Sequence, residues 1–382
     1  MTRNLRNLPS TTRPGEKYQY SNIMYAVVTH IIEILSGQSF SAFLHKNILE
    51  PLGMESTFLQ PSAVYTAKLE SHFATPYFYE NNEHHKTTHQ ETPELQGAGS
   101  IQTTPSDYLK LLAAMSYHDK LPITKSTFDE TTLTRTVKNG KSSLQDLGPN
   151  SRDVAYALGC EIMYRNRERI ITHNGLITGY GSTMFLLPNL SFGAVFMGNC
   201  DTAFGVTQML QSEMIDEILD TPREKRFDGS QGRLKRQTAQ AARKIKAIRR
   251  NEERRLQARD TLTVPKENYY GTFYNAGYHT ITIQPQHGTL FIDATDRSLP
   301  FSMILEHVKD NRDFRGYITA DDGAGEDEVL VKFHLDVQNN VTAIGINWEP
   351  KLGADYLFWH SRVPDTHGLP ILPSNEPNET CR

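Results

Sequence analysis

The sequence predicts an α+β domain, an antiparallel sheet flanked by helices, followed by a small antiparallel β-barrel. Three observations carry this. Apolar residues recur at helical spacing between Met24 and Leu35. Two short apolar runs, Met184–Leu187 and Ala194–Met197, flank the turn residues Pro188-Asn189-Leu190-Ser191. After Pro265 only short alternating segments remain, as in a barrel or sandwich. With 382 residues the chain fits two domains, at about 100–200 residues each. The expected boundaries are 1–221 for the first domain, 222–262 for a basic helical linker, 263–365 for the barrel and 366–382 for a loose tail.

Residues 1–17 read as a loop punctuated by Pro9, Pro14 and Gly15. A helix then carries Met24, Val27, Val28, Ile31, Ile34 and Leu35, with Gly37 placed to end it. A second helix carries Phe40, Phe43, Leu44 and Ile48 and stops at Pro51. Residues 60–100 read as irregular. Thr104-Pro105-Ser106-Asp107 reads as an N-cap, a proline at the first helical position and an acid reaching back. Residues 118–152 read as a surface segment, and a helix is expected from about Thr202 to Leu219. Beyond Pro265, Thr280–Ile283 and Leu290–Ile292 flank the turn at His287-Gly288, and Val329–Phe333 pairs with Val341–Ile344.

Composition narrows the function. The formal charge is -4, so the whole molecule is no nucleic-acid binder by charge. Residues 233–258 are locally basic, from Arg233 through Arg255, and read as an exposed connecting helix. Cys160, Cys200 and Cys381 form neither a CxxC pair nor a zinc spacing, which fits a reducing compartment. No apolar segment follows the basic N-terminal residues, so a cytoplasmic protein without a signal peptide is expected. The apolar run from Ile23 to Leu35 is broken by Thr29, His30 and Glu33, and no membrane partner is expected. His84, His85 and His89 lack carboxylate or cysteine company and read as a solvated loop rather than a metal site. No cofactor or metal is expected; the oligomeric state is left open.

The densest chemical signal is Tyr18-Gln19-Tyr20-Ser21-Asn22. Tyr-x-Asn alone is weak. Here Pro14-Gly15 precede it, and Ser36-Gly37, Phe40, Phe43, Pro51-Leu52-Gly53-Met54 and Thr57 follow in order. This resembles the second motif of the penicillin-recognising serine hydrolases: class C β-lactamases, esterases and transesterases of the β-lactamase/transpeptidase-like fold. His173-Asn174-Gly175 is similar to the His-x-Gly form of the family's Lys-Thr-Gly strand, and Gly97-Ala98-Gly99-Ser100 to its glycine-rich step into a helix. Tyr270-Gly271-Thr272-Phe273-Tyr274 resembles the opening of lipocalin-like C-terminal domains found in some members.

The resemblance implies roles that suit these residue types. An acyl-transfer site needs a nucleophile, a base and donors for the oxyanion. By resemblance Tyr20 moves the proton, its pKa lowered by nearby cations. Asn22 serves the acyl carbonyl or orients a lysine, and His173 bonds Tyr20 or the substrate. Asn174, Gly175 and Leu176 bind substrate, the Leu176 N–H serving the oxyanion. The substrate class implied is an ester, amide or thioester, in hydrolysis or acyl transfer, as in transesterases of secondary metabolism.

One departure weighs against catalysis. The family nucleophile is the serine of Ser-x-x-Lys, and no lysine in these 382 residues has a serine three positions before it. The resemblance places that motif upstream of Tyr-x-Asn, so an incomplete first domain with exposed edges and core is expected. The alternative is a non-catalytic relative that binds a small acyl ligand or a protein partner.

Overall fold

The computed structural model describes residues 2–80, 83–117, 121–138, 151–226, 261–297, 300–320, 326–353 and 355–364. The expected basic helix and the tail from 366 lie outside the described residues. Two compact units divide the chain, Met1–Arg255 and Leu256–Arg382.

The first unit carries seven α-helices among the described residues: α1 Asn22–Ser36, α2 Phe40–Leu44, α3 Pro61–Thr66, α4 Gln96–Gly99, α5 Pro105–Tyr117, α6 Lys125–Thr132 and α7 Ala203–Ile218. Its strands are β1 Phe58–Leu59, β2 Tyr77–Glu80, β3 Glu83–Lys86, β4 Ile101–Gln102, β5 Thr136–Val137, β6 Ser151–Tyr156, β7 Glu161–Arg165, β8 Glu168–Ile177, β9 Tyr180–Leu187 and β10 Phe192–Gly198. The last six form one antiparallel meander in the order β10-β9-β8-β7-β6-β5.

Alternation along the strands builds two cores from one sheet, because successive side chains leave on opposite faces. Ile162, Ile171 and Leu186 join Phe128 and Met115, from α6 and α5. Their chain neighbours Met163, Ile170 and Phe185 join Ile215 and Ile218 from α7. The predicted α+β class with helices flanking an antiparallel sheet is therefore observed. Gly181 permits the closeness of α7, since a Cβ there would sit 2.1 Å from the Phe204 nitrogen. Helix α1 ends at Gly37 in the left-handed region, φ 66°, as the sequence predicts. Its outer side keeps Met24, Val28, Ile31, Ile34 and Leu35 exposed, the last at 81%. Strand β10 is the outermost strand at its end of the sheet.

Two sequence expectations are corrected. Residues 60–100 are not irregular: they hold α3 and the hairpin β2–β3, which places His84 opposite Tyr79 and His85 opposite Phe78. His89 lies in the loop after β3, where it stacks on Phe73 at 3.7 Å and its Nδ1 meets the Tyr65 hydroxyl at 2.6 Å. No group of three or more potential metal ligands lies among the described residues. The segment 118–152 is not all surface, since Phe128 and Thr132 of α6 are buried.

The acid at the start of α5 also behaves differently. Thr104 Oγ1 accepts from the Asp107 N–H at 3.2 Å, as a cap should. The Asp107 carboxylate instead accepts from the Ser56 N–H at 2.7 Å, from Thr57 Oγ1 at 2.9 Å and from Lys110 Nζ at 2.7 Å. Burial alone would raise its pKa; Lys110 and these hydrogen bonds more than offset that, and the net direction is down. Asp107→Ala would take the acceptor from the Ser56 N–H and one of two partners from the buried Thr57 hydroxyl, which also meets Thr103 Oγ1 at 2.7 Å. A loss of about 2 kcal/mol in urea unfolding is expected at neutral pH. Because the folded pKa is depressed, the wild-type advantage should shrink as pH falls through the carboxylate range.

The second unit is a closed barrel of eight antiparallel strands in sequence order: β11 Gly271–Asn275, β12 His279–Gln286, β13 Thr289–Ala294, β14 Phe301–Lys309, β15 Asp313–Ala320, β16 Glu326–Leu335, β17 Val341–Ile346 and β18 Phe358–Arg362. Closure by β11 on β18 removes both sheet edges. Phe333 meets Tyr269 and Phe314 edge-on at 4.9 Å inside it, and Tyr269 and Phe314 lie tilted at 5.2 Å. The turn at His287-Gly288 has both φ angles positive, 49° and 75°, which suits a two-residue hairpin. No single described helix is long and apolar enough to cross a membrane, although Asn22–Ser36 and Phe40–Leu49 pass by length and composition as a pair bent by 81°.

Candidate active site

Local sequence places Tyr20 and Asn22 together. Ser21 is extended, φ -148° and ψ 114°, and α1 begins at Asn22, so both residues lie at the helix entry. The helix is then held by α4. A Cβ at Gly97 would meet Thr29 Cγ2 at 2.6 Å and the Tyr25 carbonyl oxygen at 2.9 Å. Glycine at this step lets the two helices touch. A Cβ on Gly99, two residues on, would stand 3.6 Å from Ile177 Cγ2 at the end of β8. The glycine-rich segment thus links the Tyr-x-Asn helix to the His-x-Gly strand.

Strand β8 supplies the other wall. Its pairing with β7 ends at Thr172, whereas its pairing with β9 continues to Ile177. His173, Asn174, Gly175 and Leu176 therefore keep one edge without a partner strand among the described residues. Such an edge offers backbone donors and acceptors to a ligand. Leu176 is exposed, and Gly175 lies opposite Ser182.

The two walls meet through aromatic rings. The Tyr20 ring lies 6.4 Å from His173 and 6.3 Å from Tyr156, edge-on to the latter. Tyr18 lies 5.4 Å from Tyr156, and Lys138 Nζ sits 5.4 Å from the Tyr18 centroid. The charge of Lys138 is matched by Glu161 at 2.5 Å. Of the six residues read from sequence, Tyr20 and His173 are brought side by side, with Asn174, Gly175 and Leu176 continuing the same strand. Asn22 stands at the start of α1, exposed.

Two expectations need revision. His173 does not bond Tyr20; its Nε2 meets the Tyr156 hydroxyl at 3.1 Å, and its Nδ1 meets the Asn174 carbonyl at 2.7 Å. Nor is Tyr20 acidified by cations. Its pKa is raised, first by burial and then by Tyr25 and Glu161. Tyr18 is pushed up to about 12 by burial and Glu161, and Tyr156 is also raised, by burial and by Tyr25. All three phenols are therefore protonated at neutral pH. Sequence reading missed Tyr25 and Tyr156. Tyr25 lies three residues beyond Asn22 of the motif, and nothing local to Tyr156 marked it.

A family model described as Beta-lactamase matches residues 1–209. A second, described as a domain of unknown function (DUF3471), matches residues 257–359. An unguisins hydrolase of Aspergillus campestris is 27% identical over 376 residues, covering 96% of this chain and 67% of its own length. Its counterpart from Aspergillus violaceofuscus is also 27% identical, covering 95% and 66%. The flp protein of Staphylococcus aureus is 25% identical over 193 residues, half of this chain and 35% of its own. The octameric penicillin-binding protein homologue of Pyrococcus abyssi superposes over 88% of this chain and 65% of its own, with TM-score 0.47 and 17% identity. The chain spans about two thirds of the length of the unguisins hydrolases it matches.

Proposed function

This chain belongs to the beta-lactamase family, and on that premise we propose that its first unit is the acyl-binding side of a serine hydrolase or acyltransferase. The substrate is an ester, amide or thioester. The observation that carries the reading is the convergence of Tyr20 and His173 beside the open edge of β8. In this reading the acyl group lies along that edge, the Leu176 N–H takes the carbonyl oxygen, and Asn22 orients the group from α1. Tyr20, protonated at neutral pH, acts as proton donor to the departing group. Two curated relatives are named unguisins hydrolases, and a compound of that kind is the first substrate to test.

Acylation by this chemistry needs a serine activated by a lysine one helical turn on, and these 382 residues contain no Ser-x-x-Lys. That absence favours a second reading, a relative that binds an acyl ligand without turning it over. The two share a first test. The 382-residue chain is expected to bind a short N-acyl amide reversibly, by calorimetric titration. It should neither hydrolyse a p-nitrophenyl ester nor carry a fluorophosphonate-labelled serine. A labelled serine with turnover would show a nucleophile outside the family motif. No binding would remove the acyl site itself.

A further inference from the structure

We propose that Tyr156, backed by Tyr25, is a positioning residue that fixes the imidazole of His173 and so separates it from Tyr20. The inference rests on reading His173 as part of the acyl site. Three elements contribute: Tyr25 from α1, Tyr156 from the end of β6 and His173 from β8.

The hydrogen bonds decide the arrangement. A carbonyl cannot donate, so the 2.7 Å contact between Nδ1 and the Asn174 oxygen makes Nδ1 the protonated nitrogen. In neutral His173, Nε2 is then the acceptor, and the Tyr156 hydroxyl donates to it at 3.1 Å. The Tyr156 oxygen is left free to accept, and the Tyr25 hydroxyl at 3.2 Å donates to it. The chain of donors runs from Tyr25 through Tyr156 and His173 to a backbone carbonyl. Because it ends on a group that cannot pass a proton on, it holds the ring rather than conducting protons. Both ring nitrogens are occupied by protein. Tyr20, whose hydroxyl has no hydrogen-bond partner among the described residues, is the group left facing a ligand.

The Asn174 carbonyl accepts from the protonated Nδ1, and Tyr156 complements it by donating to Nε2, so the ring orientation is set through both nitrogens. A ring that rotates out of place in the wild type gives up two hydrogen bonds, but only one in Tyr156→Phe. One neutral hydrogen bond is worth about 1 kcal/mol, so the rotated population should rise about fivefold.

The test is a long-range ¹⁵N–¹H correlation spectrum of the histidine-labelled chain at a pH where the imidazoles are neutral. Wild type is expected to show His173 with its proton on Nδ1. Tyr156→Phe should raise the Nε2–H form about fivefold, since a ring released to water loses the Asn174 bond that fixes the tautomer. Tyr20→Phe should leave the His173 signals in place. A wild-type ring protonated on Nε2, an unchanged Tyr156→Phe spectrum, or a shift caused by Tyr20→Phe would each overturn the proposal. If Tyr156→Phe does not fold, the wild-type nuclear Overhauser contact between the Tyr156 ring and His173 Hε1 decides, its presence supporting and its absence refuting the assignment. None of these readouts depends on acyl binding, so a failed ligand titration leaves this result standing and a failed spectrum leaves the acyl site standing.

Discussion

Asp216→Ala is expected to destabilise the first unit by about 3–5 kcal/mol, read as a fall in the urea midpoint of its helical circular dichroism. Asp216 lies on α7 and Arg165 at the end of β7, with Nη1 and Oδ1 3.3 Å apart and each side chain 4% exposed. Burial pulls the Arg165 pKa down, and Asp216 pulls it back towards its ordinary value, so this carboxylate offsets the cost of burying a guanidinium that stays charged. Arg165 Nη1 also donates to the Ser212 carbonyl and hydroxyl, both at 3.1 Å. These contacts cannot replace a full negative charge in a site closed to water. Removing Asp216 therefore takes a carboxylate away from a buried cation. The paired replacement Arg165→Met with Asp216→Leu should cost far less, because no unmatched charge remains. Equal losses for the single and double variants would show that packing, not charge, dominates the site.

That ion pair illustrates what sequence reading could and could not reach. Helix α1 was legible because its apolar spacing and Gly37 act locally, within one segment. The β9–β10 hairpin and the barrel were legible for the same reason, as alternation broken by turn residues. The β2–β3 hairpin was missed although Asn81-Asn82 is a turn signal, because its strands carry His84 and His85 in a polar stretch rather than an apolar alternation. Asp107 shows a different limit. Its type and position announced a cap, yet its carboxylate chose partners some fifty residues earlier. Of the candidate site, the two motif ends were legible as motifs, but their junction was not. Tyr25 and Tyr156 stand 131 positions apart, and only the packing of α1 beside the end of β6 brings them together.

In the barrel, stability is expected to fall by about 3 kcal/mol between pH 6.5 and pH 4, and His360→Leu should abolish that part of the slope. His360 on β18 is fully buried, 0% exposed. Burial is the main cause that lowers its pKa from 6.5 to about 4; the Phe358 and Ile344 carbonyls raise it in part, and Arg297 lowers it further. The sign follows from proton counting. Between pH 6.5 and 4 the unfolded chain binds a proton on this histidine and the folded barrel does not, so acid draws the equilibrium towards unfolding. The contribution is intact above the unfolded pKa and gone once pH reaches about 4. Surrounding rings explain why the barrel resists protonation: Tyr278 and Trp348 lie 6.4 and 6.3 Å away, and neither brings a negative charge. Both tryptophans of the chain, Trp348 and Trp359, belong to this unit, so fluorescence-detected urea midpoints at pH 7 and pH 4.5 follow the barrel. Carboxylates also titrate in that range, which makes the difference between wild type and His360→Leu the informative quantity. Parallel losses in the two proteins would mean that His360 accepts its proton without opening the barrel, and that the acid sensitivity lies with the carboxylates.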